Sequence, residues 1–443
     1  MLKSRVWRGT ALIVGATLLL TVGGCGDEES GEAAGTHKVR LYGSDGNMMN
    51  TFRDEFEGQV SLLDGMKGTT PRTPLSEDFV SRLRTVYPDL NDFTYAAETY
   101  DAVVIAALAA ELARSTEPAR IAQQINGVTM GGERCMAVST CLELARKGTD
   151  IEYRGPSLRT TGFTDAGEPA TASYATVHFD ENGRINDQKT EFVGAGNSSA
   201  ATSKNPPAPT GAALRNKQLR LGELLPRTGD LAFAYPPMAA GARLALREIN
   251  AAGGVFGRPV EWLEGDDGTN PEVAKATVRR HIDQGVHVII GAGASGVSRE
   301  VLPEVVAAGV ILFSSSNTDA GLSGVEDDGL YFRSAPPDNL QGQALADVIL
   351  RDGPSKIAIV ARDDSYGTGL QENVRGELER AGIPADRIKL MTYEPVSNGS
   401  EIDFKSGAEA IKEFAADAVL VIGFAESAAV IKALHAAGIE IDH

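Results

Sequence analysis

From residue 217 onward, short apolar runs alternate with stretches whose apolar positions recur every three or four residues. The first pattern belongs to strands buried on both faces, the second to helices with one buried stripe. "LRLGELL" opens the series as a strand, and "AAGARLALREINAAGG" sets Ala242, Ala245, Leu246 and Ile249 on one helical face before stopping at Gly253 and Gly254. "RPVEWLEGDD" is the next strand. In "TNPEVAKATVRRHIDQG", Asn270 is placed as an N-cap with Pro271 at the first helical position and Glu272 in the first turn. Strand "VHVIIG", helix "SREVLPEVVAAG", strand "VILFSSS" and helix "LQGQALADVILRDG" follow. A second series runs from "KIAIVARDD" through "GLQENVRGELERAG", "IKLMTYEP", "EIDFKSGAEAIKEF" and "DAVLVIGF" to the closing helix "SAAVIKALHAAG". Such alternation predicts parallel sheets with right-handed crossovers, and two series of this length predict two sheets, hence two lobes of an α/β protein.

The first third of the chain supplies further elements. "KVRLYG" is a strand with no helix before it, while the chain's final helix ends where another strand is due. Joining His443 to Lys38 would give an uninterrupted α/β series, so the segment order reads as a circular permutation of a two-lobed architecture. "QVSLLDGMKGTTP" reads as strand, "FTYAAETYDAVVIAALAAELARS" as a long helix for a core, and "SYATVHFDENGRI" as a hairpin turning at Asn182 and Gly183. Residues 194–218, rich in Ser, Ala, Pro and Gly, have linker chemistry, and in a permuted protein they would bridge the original chain ends.

Ahead of all this, Lys3, Arg5 and Arg8 precede the apolar stretch "ALIVGATLLLTV", then small residues and Cys25, which is the layout of a secretory signal. The junction "VGGC" resembles a lipobox, whose cysteine becomes the lipidated first residue, and the polar, acidic stretch after it reads as a tether. The expected location is therefore extracytoplasmic, anchored to the bacterial membrane by lipid. The 443 residues carry a net charge of -18, and loss of the three leader cations would take it to -21. That balance repels phosphate backbones and argues against nucleic-acid binding. Outside the cytoplasm, Cys135 and Cys141 in "GGERCMAVSTC" read as a local disulfide; the alternative, a metal pair, would want further ligands, and the six histidines are scattered.

Several strings then resemble a known family, the extracellular solute-binding proteins of the leucine/isoleucine/valine-binding type that serve ABC importers. They are "GELLPRTGDLAF", "GARLALREINAAGG", "VIIGAGASGVSREVLP", "ILFSSSNTDAGLS", "YFRSAPPDNLQGQALAD", "DDSYGTGLQENV", "AAETYDAVVIAALA" and "LYGSDGN". Only their order departs from the family's pattern. The resemblance implies a type 1 periplasmic-binding fold, two lobes closing on a small molecule, most naturally an amino acid or an amide. It implies no covalent chemistry and no cofactor, with the permease subunits of an importer as partners. Carried over residue by residue, it assigns Ser295 as a carboxylate-receiving hydroxyl, with Ser316 and Thr318 beside it. It likewise assigns Tyr366 as an aromatic wall, Asp45 as the acid for an amino group and Phe424 as a further aromatic. In the loop "PRTGDLAFAYPPM", Thr228, Asp230, Phe233 and Tyr235 are available without assigned roles. The implied organisation is leader 1–25, tether 26–37, second lobe 38–70 and 339–443 with a return hairpin 171–193, first lobe 219–338 completed by 71–170, and linker 194–218.

Each assigned residue also has an ordinary structural role open to it: Ser295 or Ser298 as a helix cap, Ser316, Thr318 and Asp45 as turn residues, Tyr366 as packing between lobes. A different class competes through Gly291, Gly293 and Gly296, a literal G-x-G-x-x-G between strand and helix, the setting of dinucleotide binding. Against it, the next strand ends in "FSSSN" with no acid for a ribose, and the unit is the third strand of its series. A ligand sensor on the same fold is a nearer alternative and would need a separate output partner.

Overall fold

A computed structural model describes residues 37–208, 212, 214, 215, 217–395 and 402–442. The expected leader with Cys25, and the tether up to residue 36, lie outside them. Two parallel-rich sheets carry the molecule. The smaller has the order β11 (Tyr331–Arg333), β10 (Ile311–Ser314), β9 (Val288–Gly291), β7 (Arg220–Leu224), β8 (Glu261–Leu263), all parallel. The larger runs β13 (Ile388–Tyr393), β12 (Ile357–Arg362), β14 (Ala418–Ile422), β1 (Lys38–Gly43), β2 (Lys67–Pro71), β5 (Thr171–His178), β6 (Glu191–Gly196). Its first five strands are parallel and its last two antiparallel additions. β9, β10 and β14 are buried at every position, as their unbroken apolar runs require.

The first and last described strands meet in the large sheet. β1 lies directly beside β14, in parallel, with Leu41 opposite Val419 and Tyr42 opposite Leu420. That is the position a strand following α11 (Ala428–Ala436) would take through a right-handed crossover. A strand nevertheless follows α11 within the chain, the short β15 (Glu440–Ile441), and it lies parallel to Lys38 and Val39 of β1; this corrects the expected direct join of His443 to Lys38, because parallel neighbours need a crossover between them.

Around the small sheet pack α1 (Glu77–Arg84), α2 (Ala96–Ala113), α3 (Pro118–Val128), α4 (Val138–Lys147), α5 (Tyr235–Ala251), α6 (Pro271–Asp283) and α7 (Ser295–Ala307). Around the large one pack α8 (Asp338–Leu350), α9 (Ser365–Arg380), α10 (Lys405–Phe414) and α11. α2 has no exposed face: every one of its eighteen residues is buried, the acids Glu98, Asp101 and Glu111 included, as expected for a helix enclosed by others. Its closest neighbour is α5, and Gly241 makes the approach possible: a Cβ there would stand 2.2 Å from the Ala96 carbonyl oxygen. Asn270 caps α6 as expected, accepting from the Glu272 and Val273 amides.

Several elements depart from expectation. "QVSLL" forms a 3₁₀ turn, Val60–Leu63, and the strand begins only at Lys67. Only Phe179 and Ile185 pair across the Asn182–Gly183 turn, and the true return strand, β6, follows a second 3₁₀ turn at Asp187–Lys189. β6 runs to Gly196, so the segment read as a linker from 194 starts as strand. Beyond it Pro206 abuts Gly127 and the Pro207 carbonyl accepts from Gln124, which fastens that stretch to α3. A two-stranded sheet of β3 (Glu133–Cys135) and β4 (Ile151–Tyr153) was not foreseen, because three-residue strands leave no periodicity to read.

Cys135, ending β3, is bonded to Cys141 in α4. So short a loop removes little entropy from the unfolded chain, and replacing both cysteines by serine is expected to lower stability by about 2 kcal/mol, read as a shift of the denaturant midpoint.

Candidate functional site

The loops at the carboxyl ends of both sheets converge on one cavity, where ligands bind in open α/β sheets. It is small, about 20 Å³, room for a single water. Asp45, Ser295, Ser316, Thr318, Tyr366 and Phe424 all line it, from chain segments as much as 379 residues apart.

Asp45 follows β1 and is almost fully buried. Its Oδ2 accepts from the Tyr95 hydroxyl at 2.6 Å; its Oδ1 accepts from the Gln341 amide at 2.8 Å and the Tyr366 hydroxyl at 2.9 Å. Burial pushes its carboxyl up from the ordinary value, and these three bonds only partly offset that. Tyr366 also takes the Ser44 hydroxyl at 2.8 Å and the Gly46 amide at 3.3 Å, which fixes the Ser-Asp-Gly loop against α9. Its ring stacks on Phe424 at 5.4 Å and 16°, and the Arg362 guanidinium covers the other ring of that pair, 3.9 Å from the Phe424 centroid. A Cβ on Gly46 would stand 2.5 Å from the Gly423 carbonyl oxygen and 2.8 Å from Phe424.

Opposite, α7 begins at Ser295, and its cap position is Ala294, which has no side-chain acceptor. Neither Ser295 nor Ser298 caps the helix: the Ser298 hydroxyl accepts from the Ala292 amide and the Ser295 hydroxyl from the Thr318 and Asp319 amides at 3.2 and 3.3 Å. The Ser295 proton remains free to donate toward the cavity. Thr318 presents a buried hydroxyl with no bonded partner, while Ser316 donates to the Gly293 carbonyl at 2.8 Å. One side of the cavity therefore offers hydroxyl donors at a positively polarised helix end, the other a carboxylate.

Sequence reasoning missed Tyr95 and Gln341, the residues that hold Asp45. Tyr95 lies just before α2 in left-handed backbone, φ 61°, a conformation a tyrosine adopts only when its surroundings enforce it. The available residues of the 226–238 loop were the wrong ones to watch. Leu231, Ala234 and Met238 line the cavity, at helical spacing on one face, and with Met49 they form its apolar wall; Asp230 turns to a second cavity. That second cavity, about 380 Å³, adjoins the first at Ala294 and lies between Gly296 of α7 and Arg362, Asp364 and Ser365.

Residues 218–442, just over half the chain, match the family model described as periplasmic binding protein. The chain belongs to the periplasmic binding protein family. Among curated relatives, the Leu/Ile/Val-binding protein homolog 3 of Brucella melitensis biotype 1 is 26% identical over 226 residues, 50% of this chain and 59% of that protein. The leucine-, isoleucine-, valine-, threonine-, and alanine-binding protein of Pseudomonas aeruginosa is 29% identical over 189 residues, 42% of this chain and 49% of its own. The chain spans about half the length of the curated relatives it matches. A crystal structure of the branched-chain amino acid transporter substrate binding protein LivJ from Streptococcus pneumoniae, in complex with isoleucine, covers 51% of this chain and 63% of its own at 24% identity and TM-score 0.43.

The glycine loop after β9 serves the fold. Gly291, with φ 138°, lies against the Leu224 carbonyl, where a Cβ would stand 1.9 Å away. The Gly293 amide donates to Asp267 Oδ2 at 2.6 Å, so an amide that a pyrophosphate would use is already taken. Among the described residues no cluster of three His, Cys, Asp or Glu could hold a metal ion, and no helix is long and apolar enough to cross a membrane.

Gly296 faces Asp364 and Ser365 across the cleft, a Cβ there standing 3.8 Å from Asp364. A Cβ therefore meets only ordinary van der Waals contact, with the second cavity beyond it. Gly296→Ala is expected to leave ligand affinity within about twofold and stability within about 0.5 kcal/mol of the wild type, measured by calorimetric titration beside an unfolding scan.

Proposed function

We propose that this chain is the ligand-capturing lipoprotein of an ABC importer, closing two lobes over a small zwitterion, an amino acid with an aliphatic side chain. The observation that carries this is the pairing of Asp45 on one lobe with the Ser295 and Thr318 hydroxyls on the other, around one cavity. A carboxylate fits the hydroxyls and the start of α7, an ammonium fits Asp45, and Met49, Leu231 and Met238 suit an apolar side chain. The names of the curated relatives agree with that chemistry. A cavity of about 20 Å³ is too small for such a molecule, so entry requires the lobes to part. Binding and closure, without covalent chemistry, make up the mechanism.

We read the segment order as permuted, β1 standing where a strand after α11 would stand. On this reading residues 38–70, 171–193 and 339–443 build one lobe, and 71–170 with 219–338 the other. Cys25 would carry the lipid and hold the protein outside the cytoplasm beside its permease, and loss of palmitate labelling in Cys25→Ser tests that anchor.

The deciding experiment is thermal unfolding of the portion after Cys25 with amino acids, amides, small organic acids and NAD. A ligand at about a hundred times its Kd adds about 2.7 kcal/mol, a shift of a few degrees. A shift with aliphatic amino acids supports the reading, and a shift with NAD alone overturns it.

A further inference from the structure

Asp338 opens α8 with its carboxylate completely buried. Neither oxygen closes a hydrogen bond, and the nearby Thr318 hydroxyl eases the burial without closing one either. One turn further on the same helix, Gln341 donates to Asp45 Oδ1, and the Asp338 amide donates to the carbonyl of Thr318 at 2.6 Å, so a single face of α8 sets Asp338 just behind the cavity wall that Thr318 and Asp45 share.

Among the described residues, the cations around this pair are committed to other partners. From β11, Arg333 is committed to Glu168 at 2.5 Å and to the carbonyls of Asn317 and Asp319. Asp319 itself is paired with Arg299. On β2, Lys67 is held by Asp352 at 2.6 Å, and on β6, Glu191 faces Arg351. The remaining titratable neighbours are phenols: Tyr366 from α9, Tyr95 at the start of α2 and Tyr174 from β5, whose hydroxyl is unpaired. Two carboxylates in so dry a chamber do not both ionise. Burial first, and the charge of Asp45 second, push Asp338 well above the carboxylate range.

We propose that Asp338 is a second acid of the ligand site, sharing one proton with Asp45 until the ammonium of a bound amino acid takes that proton's place. This rests on the amino-acid reading of the cavity and sharpens it. The exchange balances in charge: one ammonium enters and one proton leaves to solvent. A neutral amide cannot make that exchange, so the pair selects amino acids over the amides that otherwise fit the same hydroxyls. Because binding releases a proton, affinity falls as pH drops through the pair's upper titration, by up to about tenfold per pH unit.

The test is calorimetric titration of the protein with L-leucine and L-alanine at about pH 6, between the carboxylate and amine ranges, in two buffers of different ionisation enthalpy. The wild type is expected to release close to one proton per ligand and Asp338→Asn close to none, with weakening at acid pH lost in the variant. Equal proton release in both proteins, or binding by the wild type without release, overturns the proposal and leaves the amino-acid reading standing. If neither amino acid binds, that reading fails, and a carboxyl NMR titration of the ligand-free protein still decides the proton sharing. Asp338→Asn should lower the Asp45 midpoint by about one unit or more, and an unmoved midpoint overturns the sharing.

Discussion

Asp45→Asn is expected to weaken amino-acid binding by about two orders of magnitude or more while leaving the protein as stable as before, or more so. The binding loss follows from the geometry: a buried ammonium left without its carboxylate costs 2–5 kcal/mol, on the order of 30- to 5,000-fold. The stability effect has the opposite sign. The Asp45 carboxyl is raised in the folded protein by burial, so folding favours its protonated form. Its contribution is therefore greatest at low pH and falls as pH rises through the folded value. Asparagine removes that penalty; its one carbonyl oxygen still accepts from Gln341 and Tyr366, and its NH2 donates to the Tyr95 oxygen, so the gain is largest at alkaline pH. Ser295→Ala behaves differently. It deprives the buried Thr318 and Asp319 amides of their acceptor, so it costs stability as well as affinity. Unfolding scans with and without an amino acid separate the two: Asp45→Asn should lose the ligand shift with an undiminished midpoint, and Ser295→Ala should lose part of both.

That difference bears on what the sequence made legible. The strand and helix series from 217 and the α/β class were readable because buried strands and helices impose periods that no loop produces. β7, β9, β10, β12 and β14 all lie where their apolar runs place them. Six residues singled out on local strings meet at one cavity, because each follows a strand or opens a helix at the same edge of its sheet. What stayed hidden was whatever depends on distant packing. Tyr95 reaches Asp45 from the start of a helix packed against α5 at Gly241, and Gln341 reaches it from α8, contacts between segments far apart in sequence. The 3₁₀ turn at 60–63 was read as strand because its apolar residues carry no period of their own. The stretch after Gly196 has linker composition, yet prolines that pack on α3 look the same in sequence as prolines that pack on nothing.

Arg333→Met is expected to destabilise the protein by about 3–5 kcal/mol, the cost of leaving a buried partner charge uncompensated. Arg333 is completely buried, and Nε and Nη2 both reach Glu168 Oε2, at 2.9 and 2.5 Å. Nη2 also donates to Ser323, and Nη1 to the carbonyls of Asn317 and Asp319. One guanidinium thus ties a segment from the first half of the sequence to the loop that presents Thr318 in the second. Lysine cannot replace it, because a single ammonium lacks the planar fork that serves three directions at once. The unfolding midpoint should fall by roughly 6–20 °C, at about 2–4 °C per kcal/mol. Adding Glu168→Gln to Arg333→Met should recover part of the loss, since the orphaned charge goes with it. Ligand affinity should fall as well, because the Asn317–Asp319 backbone loses the donor that holds Thr318 against Ser295. A drop within about 1 kcal/mol would mean that water reaches Glu168 when the arginine is gone, and the loop would then owe its shape to the hydrogen bonds of Ser314, Ser316, Asn317 and Ser295.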